Sequence, residues 1–386
     1  MAPMNVITEI VATPLSYRLP EGKTVTLGIG STIKRDAIVV RVRTSDGVTG
    51  YGEAHPGRSP GAIASLIRHT IAPMLIGMEA TDCSGVWNRV YRMQIASHGL
   101  GAGAALALSG IDMALWDIRG KMANMPLYKL LGGSRRRLKA YAGGIALGFQ
   151  PAESLAEEAQ EYVARGYKAV KLRLGDGTAN DIERITHVRK ALGKQIDIVV
   201  DANAMYTLED VRRMMPVLAE MQVGWLEEPF ACNNFGAYRE AARIAGVVPI
   251  AAGENHYTRF EFAQLLEGRA VQVFQPDLSK TGGITEGMRI AAMASAWGVS
   301  VHPHSSATGL NHAASVHFLA AVDNAGYFEA CVSRHNPFRD MFGPTFEVGR
   351  DGCVEPLDGP GLGLDVDEEV FKQFPAIDGP GYAVKF

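Results

Sequence analysis

The chain has 386 residues, 47% of them apolar and 20% charged, and a formal net charge of −3. That balance belongs to a folded globular protein. It supplies no basic field for a nucleic-acid backbone and no polybasic run for an anionic membrane. Cys83, Cys232, Cys331 and Cys353 are scattered without a CxxC pair, which argues against a zinc site or a disulfide framework and suits a reducing cytoplasm. Met1 to Leu19 lacks the basic and apolar blocks of a signal peptide, and the apolar stretch Gly101–Trp116 is broken by Asp112 and too short to span a bilayer.

The length exceeds one ordinary domain and fits a barrel of about 250 residues plus a smaller domain. In chain order, Val6–Tyr17 and Ala37–Thr44 are β-rich, and Ser45-Asp46-Gly47 turns the chain into Val48–Glu53. Helical patterns are expected over 60–75, 83–95 and 102–122, and Gly132-Gly133-Ser134 marks a junction. Tyr17–Ile29 contains glycine and could form a mobile lid.

From Leu138 the pattern changes to short apolar runs alternating with amphipathic stretches. The strand candidates are Leu138–Gly143, Ala169–Leu174, Ile196–Val200, Gly224–Leu226, Ile250–Ala252, Val271–Gln275, Val299–Val301 and Tyr327–Glu329. Between them, Pro151–Arg165, Thr207–Met221, Gly282–Trp297 and Gly309–Val322 carry helical spacing, with Pro151 placed for a first helical turn and Gly166 for a stop. Eight strands, each but the last followed by a helix, mean a closed barrel more readily than an open doubly wound sheet. Gly143-Gly144-Ile145 is also a poor phosphate loop. The expected division is an α+β cap over 1–134, a barrel over 135–354, and a tail over 355–386 that returns to the cap.

Active groups of such a barrel sit at the C-terminal strand ends. The polar residues there are Lys171 and Arg173, Asp201 and Asn203, Glu227, Glu254, Asp277 with Lys280, His304 and Glu329. The acids Asp201, Glu227, Glu254 and Asp277 are spaced 26, 27 and 23 residues apart, and His304 follows after 27 more, each step about one βα unit. Any one acid could simply cap a helix. Three converging acids, Asp201, Glu227 and Glu254, cannot stay ionised together without a cation, and hard oxygen ligands with open positions suit one Mg²⁺ per subunit. Asp277 beside His304 would fix the imidazole tautomer and raise its basicity, with His302 on the same strand face as a competitor. Lys171 and Arg173 share a strand face and could meet a substrate carboxylate or the barrel's own acids. Lys280 either reaches inward or belongs to the loop. Asn203 could bond a substrate oxygen or cap a helix. His55 and Arg58 could reach substrate from the cap, and His335, Asn336 and Arg339 from the barrel end.

Together these stretches resemble the mandelate racemase subgroup of the enolase superfamily. The resemblance rests on Lys168-Ala-Val-Lys171-Leu-Arg173, Val200-Asp201-Ala-Asn203, Trp225-Leu-Glu227-Glu228-Pro229, Gly253-Glu254-Asn255, Gln275-Pro-Asp277-Leu-Ser-Lys280-Thr-Gly-Gly283, His302-Pro-His304 and Gly110-Ile-Asp112-Met-Ala-Leu-Trp116-Asp117. It implies an α+β cap over a modified (β/α)7β barrel, with Asp201, Glu227 and Glu254 as magnesium ligands and Asp277–His304 as the dyad. Glu329 matches an acid that hydrogen-bonds the substrate carboxylate. Arg173 departs from the subgroup's Lys-x-Lys pattern, and arginine is a poor base.

The expected chemistry is therefore Mg²⁺-assisted removal of the α-proton of a carboxylate, with His304 as base. Dehydration of an acid sugar to a 2-keto-3-deoxy acid comes first. Racemisation or epimerisation with Lys171 or Lys280 as the opposite base, lactone cycloisomerisation, and a ligand-binding pseudoenzyme are the alternatives. A homo-oligomer acting on a small carboxylate is expected.

Overall fold

The computed structural model describes residues 5–98, 101–305, 307–343 and 346–384. Within the N-terminal stretch read above as lacking a signal peptide, residues 1–4 lie outside this set. An antiparallel sheet comes first: β1 (Ile7–Arg18), β2 (Lys34–Thr44) and β3 (Thr49–Ala54), with β2 central. The β2–β3 turn closes on Gly47 at φ 87°, as Ser45-Asp46-Gly47 predicts. Ile38, Val40 and Val42 of β2 face a helical layer formed by 60–75, 83–98 and α1 (Ala102–Met122). Ala37 and Val39 face the other way, into the larger core. The segment expected as a lid, Tyr17–Ile29, runs as a loop and turns over 19–25 between short strand pieces. Tyr17 and Arg18 finish β1, and Thr26–Leu27 pairs with Gly30–Thr32, which pairs in turn with Tyr382–Ala383 of the tail.

Eight parallel strands follow: β4 (Leu138–Gly143), β5 (Ala169–Arg173), β6 (Asp197–Asp201), β7 (Val223–Glu227), β8 (Ile250–Ala252), β9 (Val273–Phe274), β10 (Ser300–Val301) and β11 (Phe328–Cys331). They pair in the order β10-β9-β8-β7-β6-β5-β4-β11. A parallel bridge from Val301 to Ala325, just before β11, links the two ends. The ring is closed, which removes the open-sheet alternative. Helices α2 (Ala152–Ala164), α3 (Thr178–Leu192), α4 (Leu208–Glu220), α5 (Phe235–Ile244), α6 (Thr258–Glu267), α7 (Gly283–Ala296) and α8 (Gly309–Leu319) fill the crossovers. Pro151 stands one residue before the expected first turn, as the extended residue preceding α2, because its ψ of 144° is not helical. Gly166, at φ 111°, ends the same helix.

Side-chain alternation divides every barrel strand. Val170, Val200, Leu226, Ala252, Phe274 and Phe328 face the helices. Ala169, Val199, Trp225, Ala251, Val273, Tyr141 and Tyr327 form an apolar layer inside the barrel. The next inward position toward the C-terminal end lies two residues on. It is Lys171, Asp201, Glu227, Gln275 and Glu329 on five of the strands, all buried. The polar mouth is therefore set by strand period once the apolar layer is packed.

The helical layer docks on the barrel through buried polar contacts. Asp112 accepts from the Thr285 amide at 2.9 Å, Trp116 Nε1 donates to Thr285 Oγ1 at 2.8 Å, and Trp87 Nε1 donates to the Gly282 carbonyl at 3.0 Å. The tail is fastened where Leu362 N donates to Asp117 at 2.9 Å. Among the described residues no helix is long and apolar enough to cross a membrane.

The β3–α1 contact needs glycine, since a Cβ on Gly52 would fall on the Gly110 carbonyl oxygen. Gly52→Ala is expected to destabilise the protein by about 3 kcal/mol, seen as a lower urea midpoint. Gly61→Ala, where a Cβ meets nothing within 4 Å, serves as the neutral comparison. Equal midpoints for the two variants would contradict this packing.

Candidate active site

The mouth opens into a cavity of about 550 Å³ between barrel, cap and tail. Asp201, Glu227 and Glu254 each bring a carboxylate oxygen to within 4.8 Å of the others, and all three are buried. Gly253 explains why Glu254 departs from the two-residue step. A Cβ there would strike the Gln275 backbone, and the residue adopts φ 150°, so the acid is carried one residue later.

Cations surround the cluster. Lys171 Nζ lies 3.0 Å from Glu227, 3.1 Å from Glu329 and 3.5 Å from Asp201. Arg173 pairs with Asp201 and donates from Nη2 to the Gly144 carbonyl at 2.6 Å. Burial disfavours charge on both, but the neighbouring acids, led by Glu227 for Lys171 and Asp201 for Arg173, outweigh it and hold both protonated. Lys280 sits 3.5 Å from Glu254 and is likewise held above its ordinary range against burial, chiefly by Glu254 and Asp277.

His304 completes the site. Its Nδ1 lies 2.6 Å from Asp277 Oδ2 and its Nε2 3.1 Å from Glu254 Oε2. Asp277 is itself fixed: Oδ1 accepts from Ser279 N at 2.8 Å, Ser279 Oγ at 2.7 Å and Asn311 Nδ2 at 2.9 Å. Burial pushes the His304 pKa down, but Glu254 and then Glu329 bring it up to about 9. A divalent cation on Glu254 would cancel the leading upward influence and favour a neutral imidazole.

The charge count fits such an ion. Six acids gather at the mouth, with Asp201, Glu227, Glu228, Asp277 and Glu329 buried and Glu254 nearly so, and they outnumber the cations Lys171, Arg173 and Lys280 even when His304 is counted as protonated. Glu227 is raised to about 7, first by burial. Glu228, also buried, is held well above the usual carboxylate range by burial and by Glu254 and Asp201. Asn203 Oδ1, on the strand end that carries Asp201, and Glu228 Oε1 are buried without a hydrogen-bond partner. Hard oxygen donors, excess negative charge and unsatisfied oxygens at one mouth suit Mg²⁺.

The other sequence candidates separate. His55, Arg58, Asn203, Lys280 and Asn336 line the cavity, whereas His335 and Arg339 do not; Arg339 donates to the Cys331 carbonyl at 2.9 Å. His302 belongs to the apolar layer below, with its ring 4.9 Å from Trp225 and Nδ1 accepting from Tyr327 N at 2.9 Å. Burial lowers its pKa to about 4. Sequence reading missed Arg35 and Tyr382, which also line the cavity. No period connects β2 and the tail to the barrel, so no spacing signal marks them.

A closed parallel barrel whose mouth joins a three-carboxylate cluster to a histidine–aspartate pair, under an α+β cap, defines a class of metal-site barrel enzymes. The mandelate racemase/muconate lactonizing enzyme N-terminal domain matches residues 10–132, and the enolase C-terminal domain-like family matches 154–370. The chain belongs to the mandelate racemase/muconate lactonizing enzyme family of the enolase superfamily. It is 35% identical to an arabinonate dehydratase of Saccharolobus solfataricus over 88% of this chain and 90% of that one. It is 74% identical to the crystal structure of an enolase-superfamily member from Polaromonas sp. JS666, with a TM-score of 0.96, 98% of this chain and 100% of that one covered. A racemase structure from Streptomyces coelicolor A3(2) with bound magnesium is 29% identical, with a TM-score of 0.86 and 96% and 100% coverage.

The separation of His302 from His304 can be measured. In ¹⁵N-histidine NMR, with signals assigned by loss in His302→Gln, His302 is expected to stay neutral until the pH falls to about 4. A midpoint near 6.5, the ordinary imidazole value, would place it in solvent contact instead.

Proposed function

We propose that the protein is a Mg²⁺-dependent hydro-lyase that dehydrates an acid sugar to a 2-keto-3-deoxy acid. Asp201, Glu227 and Glu254 would hold one Mg²⁺ per subunit. When bound, the ion supplies positive charge beside the substrate carboxylate, which lowers the cost of an enediolate. His304 takes the α-proton at Nε2, while Asp277 holds Nδ1–H and the resulting charge. Lys171 and Arg173 stabilise the added negative charge from the second strand end, and Glu329 and Asn203 orient the carboxylate end of the substrate. His304 then returns its proton to the β-hydroxyl as the C–O bond breaks. Water leaves, and the enol becomes the keto acid.

The observation that carries this reading is the pairing of His304 and Asp277 at a mouth where Arg173 stands in place of a second base. Racemisation normally needs a base on each face, and an arginine ion-paired to Asp201 cannot serve as one. The dehydratase among the relatives supports the same choice. Racemisation stays as the second reading, because Lys171 and Lys280 reach the same carboxylate cluster. Among the described residues no disulfide joins the cysteines, which supports a cytoplasmic setting.

The test is a screen of aldonic and aldaric acids with Mg²⁺ in D₂O, reading 2-keto acid and α-deuterium together. Keto acid supports dehydration; deuterium alone supports racemisation. Chelation is expected to abolish turnover and added Mg²⁺ to restore it, and full activity of metal-free enzyme would end the proposal. His304→Asn is expected to lower α-proton exchange by about 10³-fold. Exchange at the wild-type rate would move the base to a lysine.

A further inference from the structure

Arg35 is a buried cation that no carboxylate among the described residues pairs with. It lies on β2 opposite Tyr17, on the strand face shared with Ala37 and Val39, which packs toward the barrel. It is 7% exposed and lines the active cavity. Its Nε and Nη1 are buried with no hydrogen-bond partner, and no acid among the described residues forms an ion pair with it. The adjacent carboxylate is already engaged: Asp36 Oδ1 accepts from Ser16 Oγ at 2.6 Å and from Lys34 Nζ at 3.0 Å. The other cavity arginines differ. Arg173 is paired with Asp201, and Arg58 is exposed and lies 5.2 Å from the centre of the Tyr382 ring.

A guanidinium removed from water without an anion is strongly unfavourable. Its planar fork suits a carboxylate or phosphate held by two parallel hydrogen bonds. Burial lowers its pKa; the neighbours that oppose this are Cys331, whose thiol is brought down against burial to about 6, chiefly by His312 and in part by Arg35, and Tyr382, and neither supplies such a fork. The reacting carboxylate belongs at the barrel's metal cluster, whereas Arg35 enters the same cavity from the cap.

We propose that Arg35 receives a second anionic group at the far end of the substrate, so that the enzyme selects dianionic acid sugars such as aldarates over aldonates. This rests on the acid-sugar reading for the identity of the ligand, while the unpaired arginine itself is independent of it.

The test compares wild type with Arg35→Met by calorimetry in Mg²⁺, using glucarate, gluconate, galactarate, galactonate and 6-phosphogluconate as probes. Wild type is expected to prefer a diacid to the aldonate of the same configuration, and the variant to reduce that ratio by about 10- to 100-fold. A larger loss for 6-phosphogluconate than for glucarate would identify the distal group as phosphate and support the same site. An unchanged ratio would overturn the proposal, even if both affinities fall together. Turnover of aldonates with no diacid preference would sink the Arg35 site and leave the dehydratase intact. A diacid preference that depends on Arg35, with no α-proton exchange on any probe, would do the reverse. Thermal unfolding without ligand gives an answer that does not depend on the probes. Arg35→Met is expected to raise Tm by removing an unpaired buried charge, and a lower Tm would show that the protein itself satisfies Arg35.

Discussion

Mutual repulsion among buried carboxylates is the constraint on which the site depends. Asp201, Glu227 and Glu254 hold oxygens within 4.8 Å of one another away from water, an arrangement that like charges oppose. The fold supports it by ringing the cluster with fixed cations: Lys171 touches three acids, Arg173 one and Lys280 one. These cations lessen the repulsion but leave a deficit of positive charge. The residual field favours positive charge at one point, where His304 already sits and where a divalent ion would fit. His304 bridges Asp277 and Glu254 for this reason, and its basicity is tied to whatever charge Glu254 carries.

The barrel supplies the rigidity that repulsion would otherwise destroy. Its interior is layered, with Trp225, Tyr141, Tyr327 and His302 packed edge to face beneath the polar mouth. The acids project from strand ends just above this layer. Gln275 then locks Glu227 from the side at 2.6 Å. The cap is held to the same frame through polar contacts rather than apolar area alone. Glu53 accepts from the Thr308 amide at 3.0 Å and from its hydroxyl at 2.6 Å, and the His55 amide donates to the Ser279 carbonyl at 3.0 Å. Ser279 also donates to Asp277. One short chain of hydrogen bonds therefore runs from the cap sheet to the carboxylate that orients His304.

This layering explains what the sequence made legible. Polar residues that end apolar runs at intervals of one βα unit have to converge once the barrel closes, and Asp201, Glu227, Glu254, Asp277 and His304 do so. The same period places His302 and His304 on one face, but only packing shows that His302 lies a layer lower, against Trp225. The strand over Val273–Phe274 is shorter than its apolar run because the chain leaves the ladder to bring Asp277 and Ser279 into the loop. Arg35 and Tyr382 were invisible for a different reason. They are 347 positions apart, on elements of two or three strands whose pairing, Thr32 with Tyr382, exists only after the tail has crossed the molecule. Local pattern carries no trace of such a contact.

The two buried arginines of the cavity show how one residue type takes two roles according to its partner. Arg173 meets Asp201 directly, so its charge is fixed in place by a carboxylate of the protein itself and the guanidinium stays protonated. Arg35 meets no acid, so its charge remains available to whatever enters. The barrel arginine belongs with the reacting carboxylate, the cap arginine with the far end of the ligand, and the cavity between them sets the length of molecule that can satisfy both. Chemistry and selection are therefore separated along the chain. The carboxylate cluster lies within residues 201–254 of the barrel, while Arg35 and Tyr382 line the cavity from the cap sheet and the tail.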